Sequence, residues 1–401
     1  MSRVGAAWGG VLVVVGGIGC VGVAPTADVG KRKPYDYEAR PLHPAVARVA
    51  LPGDSAEWFL QMDRKELLYL RSGPGAPFVA TVEAGRADGT AWTWRDTLAP
   101  GADRMLRVRW RAAGGGTDPV IRVRDVHRST ETWADVLSGD AQGRYLAGPD
   151  GWPVDGRGVA AGDTLIVRGL PFEGWNWTHA AVEPRMPAPP FAGMRSAGDT
   201  LHFVDAIPLS ADAAGEARFV VAPGINLLVG DALGSPEMLV YGRSLEFPHM
   251  RNVVDLVEAT RYVLSRSEYE RMRSAEDMKG ELDGFWLACN EDPERAADLI
   301  ATYYARVEEA NLYFSGLREG WRTDRGMVHI VFGVPSRIRT SPGTEWWMYG
   351  EEGNVNTVIF RFVHEPVPYD ANVWTLDRSV NFRAAWDRMV TAWRTGRIQT
   401  D

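Results

Sequence analysis

The period of hydrophobic and polar positions changes along this chain, and the change divides it. From about Pro44 to Phe247 the apolar runs are short and punctuated by Gly, Pro and Asp. Met105 to Arg111 alternates strictly, with Leu106, Val108 and Trp110 on one side and Arg107, Arg109 and Arg111 on the other, and Ile121-Arg122-Val123-Arg124 repeats the pattern. Period-two alternation places one edge of each segment in a core and the other in water, so both are predicted strands. Trp58-Phe59-Leu60, Leu67 to Leu70, Phe78 to Val82 and Arg218 to Val221 are further strand candidates. Many short strands between turn signals predict a β-sandwich region, Ig-like in the broad sense.

Near Arg251 the period becomes helical. Val253, Leu256, Val257 and Leu264 share one face; the charged stretch Ser265 to Glu281 either continues that helix or starts a second. Asp292 followed by Pro293 and Glu294 has the chemistry of a helix start: a carboxylate cap, then a residue that needs no amide partner. Ile300, Tyr303, Tyr304, Val307, Asn311 and Phe314 fall on one stripe behind it, and Gly316 can stop the helix. Beyond lie Met327 to Phe332, read as a strand turned by Gly333-Val334-Pro335-Ser336, then Glu345 to Tyr349 and Thr357 to Phe362, separated by the Gly350 to Asn356 turn. Together they predict a small antiparallel meander, closed by a helix through Trp386, Met389, Val390 and Trp393. The expected class is α+β and multidomain: a leader at 1–19, a tether at 20–45, β-sandwich at 46–140, a second sandwich or its continuation at 141–250, and an α+β domain at 251–401.

The first residues bear on compartment. Arg3 is the only charge in Met1 to Gly19, and the apolar run Val11 to Ile18 is too short for a comfortable bilayer span of about 20 residues. This reads as an export signal, whether of a lipoprotein, an ordinary signal peptide or an uncleaved anchor. Gly17-Ile18-Gly19-Cys20 resembles a bacterial lipobox, in which the cysteine is lipidated and becomes the first residue; Gly17 departs from it, a larger aliphatic being usual there. Lipid on Cys20 would anchor the protein to a membrane. The first acidic residue after it, Asp28, is some way downstream, which favours the periplasmic side of an outer membrane. The second of the two cysteines, Cys289, then has no partner in the chain and reads as a buried thiol.

Composition narrows the function class. A formal net charge of −8 leaves no basic excess for phosphates, which argues against a nucleic-acid partner. The seven histidines form no pair at metal-ligand spacing, and no nucleophile elbow, phosphate loop or dinucleotide fingerprint occurs. No metal, cofactor or catalytic residue is assigned. Sixteen tryptophans are a heavy load. Trp152, Trp175 and Trp177 could form an aromatic platform for a glycan or peptide, although packing of a loop on the sandwich explains them as well. The turn Ala161-Gly162-Asp163-Thr164-Leu165 recurs at Ala197 to Leu201, most simply as two similar turns feeding strands.

The densest stretch is Gly320-Trp321-Arg322-Thr323-Asp324-Arg325-Gly326, expected at a helix-to-strand junction. Trp321 reads as a buried wedge between helix and sheet. The Thr323 hydroxyl and Asp324 carboxylate can hold backbone amides. Arg325 can pair with Asp324, with Glu345 or with a helix C-terminus. Gly320 and Gly326 read as turn residues supplying unusual backbone angles, and Gly333 and Pro335 as a second turn. The other reading has Trp321, Asp324 and Arg325 lining a groove for a peptide terminus, a glycan or an envelope protein.

Gly320-Trp321-Arg322-Thr323-Asp324, with Phe285-Trp286, Asp292-Pro293, Arg306, Ala310-Asn311, Arg325-Gly326, Gly333, Pro335, Trp347 and Tyr349 around it, resembles the GWxTD domain of uncharacterised bacterial exported proteins. The likeness spans about Val253 to Val363. It departs at Cys289-Asn290, where a basic residue is common, and at His329, where an aromatic is. The resemblance implies a β-rich region before the domain and supplies neither substrate nor catalytic role. The expected function is therefore a non-enzymatic envelope lipoprotein, an interaction or scaffolding module in an outer-membrane or secretion-related assembly with an envelope protein as partner. The alternatives are a glycan- or peptidoglycan-binding protein, or an unrecognised hydrolase with Asp324 in its site.

Overall fold

The computed structural model describes residues 42–398 apart from 43, 52, 54, 87–91, 114–119, 139–142, 170–173, 183–184, 194–200, 231–237, 291 and 368. The leader, Cys20, nearly all of the tether and most of the second Gly-Asp echo lie outside the described residues.

Eight strands make the first sheet: β1 (Ala45–Leu51), β2 (Ser55–Asp63), β3 (Leu70–Arg71), β4 (Phe78–Arg86), β5 (Trp92–Leu98), β6 (Met105–Ala113), β7 (Val120–Asp125) and β8 (Thr130–Ser138). Their order is β3-β4-β7-β8-β1-β2-β6, with β5 pairing β4 along the edge that β3 begins. The alternation read in the sequence is the cause. Leu106, Val108 and Trp110 turn inward with Trp58, Leu60, Met62, Val82 and Val123, while Arg107, Arg109 and Arg111 stay wet. The sheet curls until its ends meet: Trp94 of β5 stacks on Trp110 of β6 at 5.2 Å, and Trp110 on Trp58 at 6.0 Å. Leu67 to Tyr69 is not a strand. Asp63 caps a 3₁₀ turn over Arg64–Glu66, and the Leu68 amide donates to the Asp125 carboxylate at 2.8 Å rather than to a neighbouring strand.

The second β module has two sheets. One runs β10 (Val159–Ala160), β16 (Met238–Arg243), β15 (Gly224–Gly230), β12 (Trp175–Ala180), β13 (Ile207–Leu209); the other runs β14 (Ala217–Val220), β11 (Thr164–Arg168), β9 (Tyr145–Ala147). Leu165, Val167, Trp175, Phe219, Leu228 and Val240 fill the space between them. Gly162, at φ +95°, makes the turn into β11. Buried Asn226 exchanges two 2.8 Å hydrogen bonds with the Ala222 backbone, so no amide dipole is left uncompensated there.

The three tryptophans of the proposed platform are distributed through this packing. Trp152 meets the outer face of the first sheet edge-on at Phe59, 5.2 Å between centroids, and is part of the apolar seam between the modules. Trp175 is buried under Arg144, and Trp177 packs on Phe219 while donating to Asn226.

Helices follow: α1 (Val253–Ala259), α2 (Arg266–Ser274), α3 (Met278–Cys289), α4 (Pro293–Phe314) and α5 (Asp324–Phe332). Capping explains the starts. Asn252 caps α1, Ser265 and Glu268 form a capping box on α2, Asp277 caps α3, and Asp292 caps α4 with Pro293 in its first turn, as the sequence predicts. Cys289 ends α3 as a buried free thiol, which burial pushes up to about 11. The sheet is four-stranded, β17 (Arg337–Ser341), β18 (Thr344–Tyr349), β19 (Val358–His364) and β20 (Trp374–Leu376), antiparallel in that order, and α6 (Arg383–Arg394) closes it.

Met327 to Phe332 is helix, not strand, so the meander is built from Arg337 onward and the corner joins two helices. Met327, Val328, Ile330 and Val331 are all fully buried. The segment is walled in on every side, and an element apolar all round carries no period by which helix and strand can be told apart. The helix signals were at its ends: Thr323-Asp324 before it and Gly333, at φ +76°, after it.

Helix α6 is anchored twice. The Trp393 indole donates to the Val331 carbonyl at 3.0 Å, and the Arg394 guanidinium forks onto Glu268 at 2.8 and 2.9 Å. The Arg394 hydrogen bond, helped by the Ser265 hydroxyl and amide, holds the Glu268 carboxyl down to about 2 from its ordinary 4.5. A depressed carboxyl contributes stability that is present above pH 4.5 and is lost as pH falls from there through about 2. With Arg394→Ala, the Glu268 carboxyl should titrate closer to its ordinary range, and this acid-linked loss should shrink. Carboxyl ¹³C NMR, with Glu268→Gln for assignment, reads it; an unmoved midpoint would show that the fork does not hold the proton off.

Candidate functional site

The corner between α4 and α5 is built from backbone contact. Gly320 opens a 3₁₀ turn over Gly320–Arg322, and a Cβ placed on it would stand 1.7 Å from the Ala310 carbonyl oxygen of α4. A Cβ on Gly326 would stand 1.9 Å from the Gly320 carbonyl oxygen. Neither glycine has positive φ. Their role is close approach rather than unusual backbone angle, and Gly326 lies within α5 rather than in a turn. Three layers of main chain therefore touch: α4, the corner and α5.

Polar groups finish the corner. The Thr323 hydroxyl donates to the Gly320 carbonyl at 2.7 Å and accepts from the Gly326 amide at 3.0 Å, capping α5. The Ser315 hydroxyl accepts from the Gly320 amide at 2.7 Å. Trp321 is fully buried; its indole donates to Glu319 at 3.0 Å, and its carbonyl accepts from the Tyr262 hydroxyl at 2.5 Å. It is a wedge at a helix–helix corner, because α5 takes the place expected for a strand.

Arg322 lies over the Trp321 ring at 3.9 Å and pairs with Glu258 at 2.6 Å and Glu319 at 3.1 Å. Burial works against its charge, yet the two carboxylates hold the guanidinium above its ordinary value. Asp324 begins α5, where the helix dipole favours a carboxylate. Both of its oxygens are engaged: Oδ2 accepts from the Leu376 amide at 2.8 Å and from Arg378 Nη1 at 3.0 Å, and Oδ1 from Arg378 Nη2. Arg378 continues to the Ala188 carbonyl at 3.0 Å, joining α5, β20 and the β12–β13 connection of the second β module. Arg325 turns the other way, donating to the carbonyl and side chain of Asn372 and standing 3.7 Å from Glu345. Of the pairings foreseen for it, Glu345 is the one formed.

A third set joins the corner to the second β module. Arg243 of β16 donates to the Gly316 and Leu317 carbonyls, and the Tyr241 hydroxyl to the Tyr369 carbonyl at 2.5 Å. Asp370 accepts from the amides of Leu317 at 2.6 Å and Asn372 at 2.8 Å.

Beside the corner lies a cleft of about 160 Å³, lined by Phe314, Leu317, Arg318, Asp324, Glu365 and Trp374 among others. Of the four candidate residues, Thr323 and Asp324 line it. Trp321 and Arg325 do not, being 0% and 1% exposed. Gly333 ends α5 and accepts from the Tyr349 hydroxyl, with Pro335 buried just beyond. His329 is inside α5, hydrogen-bonded to Glu309 at 2.8 Å, and burial pushes its imidazole below the ordinary 6.5 against that bond. Among the described residues no three His, Cys, Asp or Glu are placed to hold a metal ion, and no helix is long and apolar enough to cross a membrane.

With both oxygens held by Arg378 and an amide, the Asp324 carboxylate is not free to serve as nucleophile or base. Sequence reasoning missed Arg378, Asp370, Asn372, Glu258 and Tyr262. Arg378 lies 54 residues from its partner, and no local spacing connects them.

A family model described as the GWxTD domain matches residues 227–395. Beyond Val253 to Val363, the match takes in the end of β15, β16, β20 and α6. A comparison with curated proteins finds no match.

Proposed function

As this chain belongs to the GWxTD domain family, we propose that it is a lipid-anchored interaction module of the bacterial cell envelope, held to the membrane through Cys20 and binding an envelope protein through the cleft beside the motif. The observation that carries this reading is that the polar groups of Thr323 and Asp324 end on the protein itself. Such a corner is suited to holding a surface in place rather than to chemistry, which needs a group with spare protonation or nucleophilic capacity. The periplasmic face of the outer membrane is the proposed location, on the strength of Asp28 standing well after Cys20.

Two measurements test it. In a bacterial host, wild-type protein should partition into the detergent phase of Triton X-114 and take up radiolabelled fatty acid, whereas Cys20→Ala should do neither. Affinity purification from solubilised native membranes should recover a partner in near-stoichiometric amount. An aqueous wild-type protein, or repeated recovery of the chain by itself, would reject the reading.

A further inference from the structure

The cleft holds a strand edge that the fold leaves open. In the β19–β20 pair, the Asp377 amide donates to the Arg361 carbonyl at 2.8 Å and the Glu365 amide to the Val373 carbonyl at 2.9 Å, with Val363 opposite Thr375. Antiparallel pairing alternates, so the main-chain groups of 372, 374 and 376 face away from β19. The protein covers two of these three. The Leu376 amide goes to Asp324, and the Asn372 carbonyl accepts from Arg325. Between them, the N–H and C=O of Trp374 make no hydrogen bond among the described residues. The facing wall includes Pro187, which has no amide to offer. Charge adds a preference. Asp324, Asp370 and Arg322 of the lining are engaged and Arg318 lines it too, while Glu365, half-buried, has no ion-pair partner among the described residues.

We infer that the cleft takes a short extended segment of a partner protein, which adds as a strand beside Trp374 and sets a basic side chain against Glu365. The inference rests on the interaction-module reading and names the class of ligand for that site. An open donor and acceptor on one residue are met by the donor and acceptor of another extended residue, as in other strand additions. Exposed edges invite such pairing unless they are covered. Here Asp324 and Arg325 cover the flanks, so a single register is left.

The test uses the full chain and two heptapeptides of alternating Val and Thr, one with Lys and one with Glu at its centre, read by fluorescence anisotropy. The Lys peptide should bind more tightly. N-methylation of one backbone amide, scanned along it, should weaken binding about tenfold at a single position, the loss of one hydrogen bond. Glu365→Lys should reverse the preference between the peptides with the thermal transition unchanged. Absence of binding, binding indifferent to N-methylation, or a preference that survives Glu365→Lys would overturn the inference. A photo-crosslinking residue at Val373, in native membranes, should capture the co-purified partner. If that partner crosslinks only from exposed Val380, strand addition at Trp374 fails and the interaction reading stands; with no partner at either position, both fail.

Discussion

Gly320→Ala is expected to cost at least about 3 kcal/mol, the range in which core overpacking stops being absorbed by small shifts. The new methyl would fall 1.7 Å from the Ala310 carbonyl oxygen and 2.4 Å from its carbon. Both atoms belong to the main chain of α4, which cannot turn aside as a flexible side chain can. Relief requires the corner to leave α4, and that movement withdraws the Trp321 amide from Asn311 and the Trp321 carbonyl from Tyr262. Gly326→Ala should behave alike, at 1.9 Å from the Gly320 carbonyl oxygen. Gly284 is the control. It lies within α3, exposed, with nothing within 4 Å of where a Cβ would stand. Alanine there should stabilise by up to about 1 kcal/mol through helix propensity. Chemical denaturation followed by tryptophan fluorescence compares them. If Gly320→Ala and Gly284→Ala move the transition in the same direction, the close-approach account of the motif glycines is wrong.

Asp324→Ala should be comparably severe, about 3–5 kcal/mol, because it leaves a charge buried without its counter-ion. Arg378 is 5% exposed and Asp324 7%, so water cannot take over the lost contacts. The Leu376 amide is orphaned by the same change. Replacing both ends should hurt less than the single change: Asp324→Asn with Arg378→Met removes both charges and keeps an acceptor near the amide. The effect should vary little between low and high salt, since a pair this deep is poorly screened. A loss below about 1 kcal/mol, or one that disappears in high salt, would place the pair on the surface and remove it from the account of the corner.

Residues of the corner differ in how far they could be read from order alone. Asp292-Pro293 announced α4, because a cap and the first turn are local chemistry, settled within a few positions. Thr323 and Asp324 carried the same kind of signal for α5, but the apolar run after them matched a buried strand equally well. Arg325 could be given three partners, and the choice of Glu345 and Asn372 depends on where β18 and the loop before β20 arrive. For the motif glycines the residue type was informative and the reason was not: positive φ and close approach both demand glycine, and only the positions of neighbouring chains separate them. The cleft was out of reach altogether, since it needs α4, the loop before β20 and the proline-rich chain at Pro187 in one place.

Order along the chain was enough for the class of this protein: strands first, then helices and a small sheet, a resemblance confirmed over 227–395, and a glycine-bounded motif under tight constraint. These are properties of period and of capping, which act over a few residues. Which side chains of the motif stay buried, that Asp324 meets Arg378, and that Trp374 keeps an open edge were decided only when distant segments packed. Burial and pairing are relations between elements, and their partners lie too far along the chain for any local period to connect them.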